Sequence, residues 1–303
     1  MTEAGEARTG WGIPDPKARR EHVLLGIAYM VGSTIVFAMS SASSKWLIET
    51  YPIGEVLFTR SLISLAVCAL IILPRTGLDV FRTRRLKHHA MRSFSQFVSQ
   101  SFLIIAFSLM PLASAIAINF SAPLFTALLS MFLLKEQVGL ARWGALLVGF
   151  IGVLIVTHPG TETFQIGAVF ALANAVIYGS VTAAVRGMTA TESAETLTMY
   201  QLIMISCFFA CLLPLGVSMP TWADAGLILF NGVSNGIGQY WWTRSLHLAP
   251  ASAVTPFFYF MLVWAMIIGF VVWGDVPSVG LLVGSAVVVG SGLFLLWRET
   301  KRS

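Results

Sequence analysis

Apolar residues in this chain fall into runs of about 20, each closed by a short break bearing charge, proline or glycine. Ten such runs can be marked, near 22–47, 53–74, 88–109, 112–134, 140–157, 165–187, 193–216, 221–247, 251–273 and 277–297. At 1.5 Å per residue, a helix of about 20 residues crosses a ~30 Å hydrocarbon core. The runs are continuous rather than alternating, which excludes the short two-residue periodicity of an outer-membrane barrel. The expected fold is an all-α membrane protein with ten transmembrane helices.

The pattern also repeats. GIAYMVGSTIVFAMSSASSKW (26–46) lies without gaps on GAVFALANAVIYGSVTAAVRG (167–187), pairing Gly26 with Gly167, Phe37 with Tyr178 and Lys45 with Arg186. AFSLMPLASAI (106–116) matches TRSLHLAPASAV (243–254), which is one residue longer. HPGTETFQ (158–165) separates the halves, so the organisation reads as a tail, 1–21, and two five-helix repeats, 22–157 and 165–298. Five helices per half is an odd number, so the halves enter the membrane in opposite senses. Such inverted repeats recur in secondary transporters that bind substrate near the midplane.

Composition sharpens this picture. Only 11% of residues are charged, against about 25% in soluble chains. With the amino terminus inside, all of the 19 lysines and arginines except Lys45 and Arg60 fall on inside ends or loops, which puts both termini in the cytoplasm. The cluster RTRRLKHH (82–89) then reads as a topology anchor on anionic lipid rather than a nucleic-acid patch. The tail is expected to be cytosolic and mobile, with Pro14 and Pro16 opposing helix formation, and the first span is read as retained. Cys68, Cys207 and Cys211 lie within spans, and the five histidines lie at span ends, so neither a disulfide framework nor a metal site follows.

Polar side chains inside the spans carry the candidate chemistry. Asn231, Asn235 and Gln239 are four apart and Trp242 follows, giving the eighth span one polar and aromatic stripe. Asn174 and Tyr178 mark the sixth span, Gln96 and Gln100 the third, Asn119 the fourth and Tyr259 the ninth. An amide facing lipid is costly, so each faces a cavity or a neighbouring helix. For a single residue, interhelical bonding or an interfacial aromatic belt competes with pathway lining. As a set at similar depth, these residues are read as lining a central pathway, with Trp241, about 100° off the stripe, in the belt. Pro123 and Pro256 occupy comparable places in the two halves, as hinges or as fixed kinks. The glycine pairs Gly232/Gly236 and Gly280/Gly284 are read as close-packing surfaces.

The segment PLASAIAINFSAPLFTALLSMFLLKEQVGLARWGALLVGFIGVLIV (111–156), with Pro123, Glu136 and the Gly149/Gly152 pair, and its echo LAPASAVTPFFYFMLVWAMIIGFVVWGD (248–275) resemble the drug/metabolite transporter superfamily. Within it the chain looks like the ten-helix EamA-type carriers over residues 22–298, with a lean toward YddG-like exporters of neutral and aromatic amino acids. The acidic residue of the first helix that small cation-expelling members use is missing here. The resemblance implies a monomeric, multi-pass inner (plasma) membrane exporter or facilitator working by alternating access. Aromatic side chains would supply stacking area and amides would hold the amino and carboxylate groups.

Arg60 is the one strong charge within a span, at an insertion cost of about 2.5–3.5 kcal/mol. A structural tether, with Glu55 one turn away, is the favoured role; the alternative is a carrier of anionic or nucleotide-like metabolites or drugs in which Arg60 holds the anion. No Asp or Glu lies near the middle of a span, so uncoupled flux is the simplest expectation, with exchange or coupling through end histidines beside it. No catalytic constellation, metal site or cofactor is expected, and the partners are a small-molecule substrate and the bilayer.

Overall fold

A computed structural model describes residues 16–122, 124–125, 140–157, 162–188, 192–248 and 257–300. Pro123 and Pro256 both lie outside them, as does most of the second part of the fourth span. The described residues form α-helices and short 3-10 turns. These are α1 (Pro16–Leu47), α2 (Ile53–Thr76), α3 (Leu86–Leu109), α4 (Leu112–Asn119), α5 (Leu140–Thr157), α6 (Glu162–Met188), α7 (Ala194–Ala210), α8 (Trp222–Leu248), α9 (Phe260–Trp273) and α10 (Val279–Thr300). A 3-10 turn, Gly77–Phe81, connects α2 to α3.

Three helical stretches among the described residues are long and apolar enough to cross a membrane by length and composition: His22–Leu47, Ile53–Phe81 and Ala194–Leu215. Shorter apolar helices are Leu147–Val156, Ile166–Val181, Phe260–Trp273 and Val279–Ser291. Helices α3 and α8 fall outside both groups because their polar faces dilute the apolar signal; those faces are covered by neighbouring helices.

Several expectations are corrected at element ends. The tail is not wholly irregular up to residue 21, because α1 begins at Pro16, the helix-entry position where a missing N–H costs nothing. The fourth span is not one continuous helix: α4 stops at Asn119 and the chain turns at Phe120 and Ser121. A proline at 123 has no N–H to bond the carbonyl four residues earlier, that of Asn119, so the last turn is loosened in sequence terms alone. In the ninth span the helical path is likewise interrupted by a turn at Tyr259, between Phe257–Phe258 and the helix that starts at Phe260. The two turns meet, with the Phe120 ring edge-on to Phe258 and Tyr259 at centroid distances of 5.9 and 5.1 Å.

Packing divides the helices into groups. Helix α8 runs against α1 and α2, and α1 also touches α9; α3 runs against α6 and α7, and α6 also touches α4. Between these two groups lie the α2–α7 and α4–α9 contacts, and α5 and α10 pair with each other. Small residues set the closest approaches. A Cβ on Gly232 of α8 would lie 2.4 Å from Ile63 Cβ, and one on Gly236 would lie 3.1 Å from Ser64 Cα, both on α2. Gly284 of α10 meets the Gly152 carbonyl of α5, where a Cβ would stand at 2.7 Å. Close backbone approach of this kind is how helices gain contact in lipid, where burying apolar surface adds nothing.

Candidate functional site: a buried polar layer around Arg60

Serines and amides spaced three or four apart put hydroxyls and amides on the inner faces of α1, α2, α3, α6 and α8, and their hydrogen bonds run between helices. In one group, Asn231 of α8 accepts at Oδ1 from Ser40 (2.7 Å) and Ser44 (3.2 Å) of α1. One turn on, Asn235 Nδ2 donates to Ser64 Oγ of α2 at 2.9 Å, and that hydroxyl donates to the Gly232 carbonyl. In the other group, Asn174 of α6 accepts from Ser99 of α3 at 2.6 Å and donates to Asn119 of α4 at 2.6 Å. Asn174 and Asn231 are 2% and 1% exposed, so each amide replaces water with partner helices.

Arg60 of α2 joins the groups. Its guanidinium donates to Gln100 Oε1 of α3 at 2.7 Å and reaches Ser44 Oγ of α1 at 3.4 Å. The expected partner Glu55 is taken elsewhere: its carboxylate accepts from the Ser218 backbone N–H at 2.9 Å. Among the described residues no carboxylate lies within ion-pair distance of Arg60, a buried cation held only by neutral oxygens. Arg92 of α3 is a second inward-reaching arginine that the charge pattern alone assigns to the surface. It donates to Gln201 Oε1 (2.6 Å) and to the Leu197 carbonyl (3.1 Å) of α7.

The other sequence candidates distribute as follows. Gln96 is buried on the same face of α3 as Arg92 and Gln100. Tyr178 is half-buried on α6 and near enough to Arg92 to interact with its charge. Tyr259 is 9% exposed, and its hydroxyl is buried without a hydrogen-bond partner. Gln239 is half-buried on α8, and Trp242 packs with Met30, Phe257 and Phe258 at one end of the α1–α8 contact, away from Arg60. Trp241, expected in the aromatic belt, packs its ring over Gly32 and stands edge-on to Tyr29 at 6.3 Å, where a glycine on α1 leaves room for it. The residues that sequence reading missed are Ser40, Ser44, Ser64, Ser99 and Arg92. A serine in an apolar run gives no signal of its own, and only its register with an asparagine on another helix reveals it.

Chemically, the layer offers hydrogen-bond donors and acceptors, one positive charge and a wall of rings. Phe37 stands edge-on to Phe258 at 6.5 Å, continuous with Phe120 and Tyr259. No group of three or more metal-ligating side chains occurs among the described residues.

Comparison with known proteins gives a consistent set of likenesses. The model of the EamA-like transporter family matches twice, over residues 24–158 and 165–297. A riboflavin transporter of Vibrio cholerae is 28% identical over 290 residues, 94% of this chain and 97% of that one. An S-adenosylmethionine uptake transporter of Rickettsia prowazekii is 23% identical over 286 residues, covering 92% and 94%. A solved crystal structure of 21% identity superposes with a TM-score of 0.63 over 94% of this chain and all of the other, which is a likeness of fold.

Proposed function

This chain belongs to the EamA-like transporter family, and from that premise we propose that it takes up a small metabolite built on a flat heteroaromatic ring, of the riboflavin or S-adenosylmethionine kind. It is a multi-pass membrane transporter of small molecules and not an enzyme. The observation that carries the substrate reading is the buried layer around Arg60. Amides and hydroxyls match the edge of a heterocycle and the hydroxyls of a sugar-like chain, and the Phe37, Phe120, Phe258 and Tyr259 rings provide stacking faces. Similarity to riboflavin and S-adenosylmethionine transporters supports this over amino-acid export.

The mechanism is alternating access of two inverted repeats, in the inner membrane with both termini cytoplasmic. Helix pairing supports it. Exchanging α1 with α6, α2 with α7, α3 with α8, α4 with α9 and α5 with α10 turns the α1–α8 contact into α6–α3, α2–α8 into α7–α3, and α1–α9 into α6–α4, all of which occur. The moving bodies are then not the two halves of the sequence. Each group, α1, α2, α8 and α9 or α3, α4, α6 and α7, draws helices from both halves, and the boundary crosses Arg60 and the α4 and α9 turns. Discontinuous helices at corresponding places are where transporters of this plan bind substrate.

One observation keeps a second reading in view. An uncompensated buried arginine suits a carboxylate, which S-adenosylmethionine and amino acids carry and riboflavin lacks. Proteoliposome counterflow with labelled riboflavin, S-adenosylmethionine and tryptophan tests both readings. Saturable flux of riboflavin or S-adenosylmethionine, with tryptophan much slower, is expected. Tryptophan flux alone would restore amino acids as the substrate class, and no flux of any of the three by folded protein would overturn the proposal.

A further inference from the structure

Helix α3 carries a polar face whose first two turns the transport reading does not use. His89, Arg92, Ser93, Gln96 and Gln100 recur at three- and four-residue steps, running from the start of the helix to the Arg60 contact. At the start of the helix His89 and Ser93 are each 1% exposed. Both ring nitrogens of His89, Arg92 Nε and Ser93 Oγ are buried without hydrogen-bond partners, although buried polar atoms are paired as a rule. Such a concentration within two turns marks a place that takes up something: water, and through it a proton.

Glu192, in the connection between α6 and α7, supplies the counter-charge. Its carboxylate is 8% exposed and stands 3.9 Å from His89 Nε2, and its other oxygen accepts from Thr83 Oγ1 at 2.7 Å. The separation is too long for a hydrogen bond to a neutral imidazole, yet short enough for a strong attraction once the ring is charged. The groups facing His89 are Glu192, Arg92 and His88 of its own helix, and the Tyr200 phenol of α7. Glu192 lies on the side of Nε2, the nitrogen that gains a charge partner on protonation.

We propose that His89 and Glu192 form a proton-binding site that couples this carrier to the transmembrane pH gradient, one proton entering with each substrate molecule. The proposal rests on the transporter reading and departs from uncoupled flux. Burial gates the site. The Tyr200 ring covers His89 at a centroid distance of 4.7 Å, and Tyr200 is itself held by the Phe81 carbonyl (2.7 Å) and ring, which belong to the connection leaving α2. Phe81 lies in the turn that leaves α2 and Tyr200 lies within α7, so this contact spans the boundary between the two helix groups. When the boundary opens at this end, Phe81 leaves Tyr200, water reaches His89, and the imidazolium returns its proton to the cytoplasm as neutral imidazole. When it opens at the other end, a proton from outside follows the α3 polar face to Nε2. The imidazolium is stable there only beside the Glu192 carboxylate, since burying a lone charge is costly. No redox or covalent step is involved; one N–H bond forms and breaks per cycle.

Two readouts on the full-length protein test this. In purified protein with 15N-labelled histidine followed across a pH series, the His89 ring signal, assigned by its loss in His89→Gln, is expected to pass from the neutral to the charged form as pH falls and to change its profile in Glu192→Gln. In proteoliposomes, an inward proton gradient is expected to drive riboflavin or S-adenosylmethionine at least fivefold above equilibrium. Both His89→Gln and Glu192→Gln should lose that accumulation while keeping counterflow, which a merely structural role would not separate. A His89 ring that holds one state across the whole range overturns the proposal, as does accumulation indifferent to the gradient. If none of the substrates moves, the substrate reading fails and the ring titration still decides the proton site.

Discussion

Arg60 shows how a magnitude separates two roles for one residue. If it tethers helices, Arg60→Gln removes bonds to Gln100 and Ser44 and the bundle weakens. Its partners are neutral, however, and membrane hydrogen bonds contribute about 1 kcal/mol each, whereas placing the charge at depth costs about 2.5–3.5 kcal/mol. Removing the charge therefore costs no stability. Arg60→Gln is expected to reach the membrane at the normal level, with a melting temperature in detergent equal to or above that of the unaltered protein. Counterflow of a carboxylate-bearing substrate should fall at least tenfold, and that of riboflavin less. A melting temperature lower by several degrees would return Arg60 to the tether role. The asparagines differ: Asn174 and Asn231 each have hydroxyl or amide partners on other helices, so for them the bonding role is realised whatever else they do.

At the scale of helices, contact rather than propensity decides the architecture. Gly232 and Gly236 let α8 lie on α2 closely enough for Ser64 to reach the Gly232 carbonyl, and Gly152 and Gly284 do the same for α5 and α10. A valine at 232 would place its Cβ 2.4 Å from Ile63 Cβ, a distance that moves backbone rather than a flexible side-chain tip. Gly232→Val is thus expected to destabilise by about 1–3 kcal/mol, read as a lower melting temperature and as loss of the Asn235–Ser64 bond. Gly226, with nothing near its Cβ position, should accept alanine without change in either measurement. The turns at Phe120 and Tyr259 are the other element-scale feature. Proline explains why a helix loosens near them, but not that the two turns touch.

For the whole molecule, the boundary between the two helix groups should behave as the moving surface. Ser61 of α2 and Ser206 of α7 face each other across it with their hydroxyl oxygens 3.0 Å apart. A Ser61→Cys/Ser206→Cys pair, in a chain whose Cys68, Cys207 and Cys211 are replaced by serine, is expected to form a disulfide under mild oxidation. The bridge should stop flux by more than tenfold and a reductant should restore it, measured as counterflow before and after reduction. Full activity of the oxidised, cross-linked protein would show that α2 and α7 move together.

Membrane residence, helical class, family and the tandem repeat are written in the sequence because they depend on local quantities: the length of apolar runs, the spacing of polar residues, and the likeness of one half to the other. The polar stripe of α8 and the amides of α3 and α6 were legible for the same reason, since helical periodicity alone places them on one face. Only the tertiary structure decided what they meet. Asn231 pairs with two serines 187 and 191 residues away, Arg60 with Gln100 rather than Glu55, and His89 with Glu192 across a connection between helices. A hydroxyl or a charge on a helix has no preferred partner until another backbone comes within hydrogen-bonding distance. In this bundle that approach is set by glycine contacts between helices far apart in the chain.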